Sequence, residues 1–220
     1  MKINAIVPAR IGSKRIPKKN IRQMNGAPLI HYVLRELLLC DQIDKTYVST
    51  DSEEVESACK IYGTPIIYRP KELCTDTASS ESALLHFVNQ VPTDILVFVQ
   101  ATSPFIERKD IQCGLDMILT GGYDSVLSVV EDKHFYWNKS ATPKNYDPKN
   151  RPRTQEIVPI FRETGSFYIT KVPNLLESGC RISGKIGMVT CGAISSIDID
   201  TEEDWDIAET ISRKYIDNLE

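Results

Sequence analysis

Short apolar, β-branched runs alternate along this chain with segments of helical periodicity, and that order constrains the fold more than any single residue does. Run 3–9 precedes the helical pattern 28–40, run 45–50 precedes 53–62, run 95–100 precedes 109–119, and run 125–130 follows. Such runs have the length and composition of strands buried on both faces. The expected class is therefore α/β, a doubly wound, mostly parallel sheet covered by helices on both sides. In such a sheet ligands bind beyond the carboxyl ends of the strands. Segments 10–20, 49–51 and 100–104 all lie at such ends, which places three candidate motifs on one rim.

A chain of 220 residues can bury one sizeable core, so a single domain over 1–220 is expected, with 131–160 as an excursion within it. A formal net charge of -4 argues against a dedicated nucleic-acid binder. Pro8 and Arg10 interrupt the first apolar run, and the others are too short to span a bilayer, so a cytoplasmic location is expected. The cysteines (Cys40, Cys59, Cys74, Cys113, Cys180 and Cys191) form no C-x-x-C pair and read as free thiols in a reducing compartment.

Against that acidic background, residues 10–22 carry Arg10, Lys14, Arg15, Lys18, Lys19 and Arg22 with no acidic side chain among them. The cluster follows a strand, and Gly12-Ser13 supplies a small, bendable backbone where the strand ends. Backbone N–H groups, a serine hydroxyl and flanking cations can together solvate a triphosphate. A solvated basic face or a nucleic-acid patch fits less well, because the cluster is short and no basic excess occurs elsewhere.

Periodicity breaks between 131 and 159, where His134-Phe135-Tyr136-Trp137 is followed by a polar stretch rich in Pro and Asn. Composition leaves a packed excursion and a floppy loop both open, with the aromatic content favouring packing. Strands are expected again at 166–170, 185–190 and 194–199, before a helix opened by the capping-box pattern Thr201-Glu202-Glu203-Asp204. Trp205, Ala208, Ile211 and Ile216 lie close to helical spacing and read as core.

Within the expected strand 194–199 and its continuation, Asp198 and Asp200 are two apart, so both carboxylates would project to the same side. Such a pair suits Mg²⁺, which takes one or two carboxylates and completes its shell with water and phosphate oxygens. Capping of the following helix by Asp200 or Thr201 explains the same residues, and on the residues alone both readings stand. Thr77, Ser79 and Ser80 precede the amphipathic pattern Leu84, Phe87, Val88, Val91, and N-capping explains one of them.

Several blocks recur in one order along nearly the whole chain. They are Arg10-x-Gly12-Ser13-Lys14-x-x-Pro17-x-Lys19-Asn20, Val48-Ser49-Thr50-Asp51, Arg69-Pro70-x-Glu72-Leu73, Asp76-Thr77-Ala78-Ser79-Ser80, Gln100-x-Thr102-Ser103-Pro104, Phe161-Arg162-x-x-Gly165 with Tyr168, and Ser196-Ile197-Asp198-Ile199-Asp200-Thr201. Together they resemble the acylneuraminate cytidylyltransferases, which join CMP from CTP to sialic acid and related nine-carbon sugar acids.

The resemblance implies a Rossmann-like sheet of the nucleotide-diphospho-sugar transferase type, with 131–160 as a dimerisation arm that helps close the active site of a second subunit. It implies that Arg10, Gly12, Ser13, Lys14 and Lys19 serve the triphosphate. Asn20, Arg69, Ala78 and Ser80 then lie around cytosine and ribose, and Asp198 and Asp200 hold Mg²⁺; Arg10, Lys19 and the two aspartates are the catalytic set. Arg153 is implied for the sugar carboxylate with Arg162 nearby, Gln100 for sugar hydroxyls, and Tyr168 for the pocket wall. Two departures fall at the sugar end: Trp137 stands where many relatives carry lysine, and Arg181-Ile182 where some carry an aromatic pair. Position 11 is Ile where a small or polar residue is common. A CMP transferase for an eight-carbon acid such as 3-deoxy-octulosonate, and a non-catalytic nucleotide-binding module, are the alternative readings.

Overall fold

The computed structural model of the chain describes residues 1–216, so 217–220 of the expected 1–220 domain lie outside the described residues. Among the described residues nine strands are formed: β1 (Ile3–Pro8), β2 (Gln23–Met24), β3 (Ala27–Pro28), β4 (Lys45–Thr50), β5 (Ile66–Tyr68), β6 (Ile95–Val99), β7 (Ser125–Asp132), β8 (Ile160–Lys171) and β9 (Ile186–Thr190). The helices are α1 (Leu29–Leu38), α2 (Glu53–Cys59), α3 (Ser80–Val88), α4 (Arg108–Leu119), α5 (Val172–Ser178) and α6 (Glu202–Ile216). Seven strands make one sheet in the order β5-β4-β1-β6-β8-β7-β9, and β2 pairs β3 separately. Every pairing in the large sheet is parallel except those of β8, which runs antiparallel to β6 and β7. The expected doubly wound, mostly parallel α/β sheet is thus present.

Strand alternation sorts the core into layers. Ala5 and Val7 of β1, with Ile95, Val97 and Val99 of β6, pack with Ile30, Val33 and Leu34 of α1 and Ile111 and Leu115 of α4. Ile6, Leu96 and Phe98 point the other way, onto Leu84 and Phe87 of α3 and Leu175 of α5. A third cluster joins Ile16, Met24, Leu29, Ile199, Trp205 and Ala208, and so packs α6 against the loop after β1. Trp205 and Ala208 are buried as expected, and Thr201 and Asp204 close a reciprocal cap, with Asp204 N donating to Thr201 Oγ1 and Thr201 N to Asp204 Oδ2. Among the described residues no helix is long and apolar enough to cross a membrane.

One expected strand does not form. Residues 194–196 are a 3₁₀ turn and 197–200 are extended without a strand partner, held by Ile199 N donating to the Thr102 carbonyl. β6 is already paired on both sides, by β1 and β8, so a segment held at Thr102 just beyond its end finds no free ladder edge there and runs past the strand ends. Alternation therefore does not decide where Asp198 and Asp200 point.

The excursion is packed on itself. Phe135 and Trp137 meet Tyr146, the Arg151 guanidinium lies 4.2 Å from the Phe135 ring centre, and Asn145 bonds to the backbone of His134 and Tyr136. Asp132 at its root accepts from His134 and from the Tyr136 hydroxyl. A register shift between Leu127 and Val129 of β7, opposite Gly165 with φ 76°, bends β8 as the excursion joins the sheet.

Candidate active site

The chain turns outward where β1 and β6 end, and between these exits lies a cleft of about 370 Å³. This is the switch point of the sheet, since the chain leaves β1 for β4 and β5 on one side and then crosses back from β5 to β6 on the other. The loop after β1 forms one wall. Its start is pinned by Ala9 N donating to the Ser49 carbonyl and Ile11 N to Asp51 Oδ1. Asn20 Nδ2 donates back to the Arg10 carbonyl and closes the loop, while Ile16 buries completely in the third core cluster. Left-handed backbone falls on Lys18, at φ 52°, and not on Gly12. A methyl at Gly12 would meet no protein atom, so its smallness keeps the space above the loop open and does not serve a turn.

The loop's cations meet two carboxylates. Asp76 receives Arg10 Nη1 and Lys14 Nζ, one on each oxygen, both at 2.7 Å. Asp200 receives Arg15 Nη2 at 3.0 Å and Lys19 Nζ at 3.1 Å. Arg69 lies deeper and is buried; Nη2 donates to the Ser49 carbonyl and Nη1 to that of Leu73, while Nε has no protein partner. Burial lowers its pKa below the usual guanidinium value. Asp198 is exposed at the surface and lies among the groups that flank the cleft. The lost solvation raises its carboxyl pKa, the Thr102 hydroxyl draws it back, and the Asp200 charge raises it further.

Arg10, Gly12, Ser13, Lys14, Lys19, Asn20, Arg69, Ala78, Ser80, Gln100 and Asp200 all line this cleft. Ser79 caps α3 by accepting from Ser82 N, which leaves Ser80 facing the cavity. Asp198 lies beside the lining and not in it.

The three other sugar-end residues are elsewhere. Tyr168 is buried one ring behind the wall, stacked at 5.7 Å on Phe98, which does line the cleft. Burial and its bond to Glu163 push the Tyr168 hydroxyl pKa up to about 12. Arg162 is exposed on β8 and donates to Ser196 Oγ, and Arg153 is exposed on the excursion. Arg181 sits over Tyr168 and pairs Glu81 at 2.6 Å, tying the segment after α5 to the first turn of α3. Sequence reasoning gave no role to Asp76, Arg15, Thr102 or Phe98. Arg15 stood inside the basic cluster and Asp76 inside a motif block, but nothing in the sequence pairs a cation with its carboxylate.

A family model described as cytidylyltransferase matches residues 4–209. The chain belongs to the cytidylyltransferase family. Among relatives it is 37% identical over 215 residues to an N-acylneuraminate cytidylyltransferase of Oncorhynchus mykiss, covering 94% of this chain and 49% of that one. It is 30% identical over 224 residues to the CMP-N,N'-diacetyllegionaminic acid synthase of Legionella pneumophila, covering 96% of both chains. The cytidylyltransferase chain thus spans about half the length of the fish relatives it matches. Among solved structures, a CMP:2-keto-3-deoxy-manno-octonic acid synthetase complexed with CTP superimposes with a TM-score of 0.75 over 98% of this chain and 100% of that one, at 18% identity. The fold is therefore shared with that synthetase, in agreement with the sheet order above.

Proposed function

We propose that this chain transfers CMP from CTP to a 2-keto-3-deoxy nonulosonic acid and releases pyrophosphate. The observation that carries the reading is the single cleft at the β1 and β6 ends, where the cations of loop 10–19, the buried Arg69 and Asp200 all converge. In the reaction the anomeric hydroxyl oxygen of the acid attacks the α-phosphorus. The bond from that phosphorus to the β-phosphate bridging oxygen breaks, and the hydroxyl proton is lost to solvent. In this reading Arg10, Ser13, Lys14 and Lys19, which line the cleft, hold the outer phosphates and stabilise charge growing on the pyrophosphate. Arg69, with a donor to spare, and the edges of Ala78, Ser80 and Asn20 suit the cytosine and ribose.

The donors at Asp198 and Asp200 fit Mg²⁺: they are hard carboxylate oxygens, and a divalent cation would offset the lost solvation and the nearby Asp200 charge that raise Asp198. Among the described residues no cluster of three or more such ligands occurs, so phosphate oxygens and water would complete the shell. When bound, the ion supplies Lewis-acid polarisation of the phosphate.

The sugar end is supported differently. Gln100 is in the wall, whereas Arg153 and Arg162 lie outside this protomer's cleft, on or beside an excursion that exposes Trp137, Val158 (84%), Ile160 and Phe161. A homodimer in the cytoplasm, each excursion reaching the cleft of the other copy, brings those arginines to the sugar carboxylate and covers the apolar side chains. The names of the relatives favour a nine-carbon acid over 3-deoxy-octulosonate, and the acid pair favours catalysis over passive nucleotide binding. Incubation with CTP, Mg²⁺ and a panel of nine- and eight-carbon keto acids, with pyrophosphate measured, tests the reading. Pyrophosphate release dependent on a nonulosonic acid is expected, and release only with the eight-carbon acid, or none, overturns it.

A further inference from the structure

Asp76 is a carboxylate in the wall of the cleft that the reaction above does not use. Its carboxylate occupies the donors that the reaction assigns to the outer phosphates, one oxygen on Arg10 and one on Lys14. Those two cations hold its carboxyl below the usual carboxylate range, so it is charged at neutral pH. A triphosphate and this carboxylate therefore compete for the same N–H groups, and they repel each other at the distance where either could bind.

Asp200 shows the contrast. It also meets two cations, but its backbone is fixed, with Asp200 N donating to Asp204 Oδ2 and the neighbouring Ile199 carbonyl accepting from Lys19. Asp76 stands in an exposed turn, Thr75 to Thr77, held by a 3.3 Å contact between the two threonine hydroxyls and by Ala78 N donating to the Thr75 carbonyl. The carboxylate can leave the cations without disturbing a core contact.

We propose that Asp76 is a positioning residue that trades Arg10 and Lys14 with the pyrophosphate moiety, weakening its hold on the cleft and so easing product release. The inference rests on the nucleotidyl-transfer reading of the cleft.

The test uses the full chain with inorganic pyrophosphate as probe, titrated calorimetrically without divalent ions, and cytidine as the reference ligand. Asp76→Asn should bind pyrophosphate about three- to tenfold more tightly, the scale of two exposed ion pairs released from competition. Asp76→Glu should stay near the wild type, and cytidine affinity should be unchanged in both variants. Glu54→Gln removes an equal charge from the Lys18 pair, outside the cleft lining, and should leave pyrophosphate affinity unchanged. Unchanged or weaker pyrophosphate binding in Asp76→Asn, with cytidine still bound, overturns the exchange. So does an equal gain in Glu54→Gln, which would make the effect one of overall charge. A wild-type chain that binds neither pyrophosphate nor cytidine overturns the nucleotide-site reading itself, a separate failure.

Discussion

Lys19 Nζ donates to the Ile199 carbonyl at 2.5 Å and to Asp200 Oδ1 at 3.1 Å, fastening the basic loop after β1 to the acidic segment before α6 across 180 positions of sequence. Cation loop and acid pair therefore form one unit, and Ile16 and Ile199 share a core cluster beneath it. Substitutions on either side should be felt by both.

Lys19→Ala removes a largely buried ammonium aimed at this junction. Turnover with CTP should fall about 100- to 1000-fold, the range for losing one preorganised donor to developing charge. Cytidine affinity, read by titration, should change little; an equal loss for CTP and cytidine would place Lys19 away from the outer phosphates.

Asp200→Asn and Asp198→Asn should each keep CTP binding within about tenfold of the wild type while losing most turnover, because an ion there acts chiefly on transition-state charge. Excess chelator should abolish pyrophosphate release and added Mg²⁺ should restore it. Wild-type rates in chelator would remove the metal from the scheme.

Arg69→Met keeps much of the buried volume but strips the Ser49 and Leu73 carbonyls of a donor. Stability in urea should drop by about 1–3 kcal/mol, and CTP should recover less of it than in the wild type, since the same side chain faces the cleft.

If the excursion pairs two copies, Val158→Asp with Phe161→Asp should give monomers in sedimentation, lose sugar-dependent turnover and keep cytidine binding. Mixed dimers of Arg153→Ala with Asp200→Asn should regain activity that neither parent has. Activity in a true monomer would overturn the shared site.

The root of the excursion should resist acid. Hydrogen bonds from the Tyr136 hydroxyl and from His134 lower the Asp132 carboxyl pKa to about 2, against an ordinary 3.8. A depressed folded value stabilises above the unfolded one and loses that contribution as pH falls through the folded one. In a Trp205→Phe background, Trp137 emission should hold from pH 7 to about 4 and change between about 4 and 2. In Asp132→Asn that change should vanish.

Periodicity in the sequence is enough to read β1, β4, β6 and β7, with the helices after the first three, and hence the rim and most of the cleft, because largely buried strands leave an apolar, β-branched signature. Shorter elements carried none: β5 has three residues, β2 and β3 two each around the positive-φ pair Asn25-Gly26, and α5 seven. Segment 194–199 misled because β-branched composition signals an extended backbone, whereas only a free ladder edge makes a strand. Tyr168 was legible as a residue near the sugar end but not as one buried behind Phe98, since a stack across β6 and β8 is set by register. The charge pairs of Asp76 are likewise a matter of three-dimensional placement.

The lone antiparallel strand also dictates an order of assembly. β6 is complete at residue 99 and β7 at 132, yet neither has its inner neighbour until β8, at Ile160–Lys171, is threaded between them. On a ribosome the β5-β4-β1-β6 part of the sheet emerges with an open edge at β6, and β7 emerges with neither of its neighbours, since β9 follows β8 in sequence; both wait for a strand still to be synthesised. A chain halted inside the excursion keeps these edges unsealed, so nascent chains stopped at about 150 should be the ones that chaperones hold longest and that aggregate most readily.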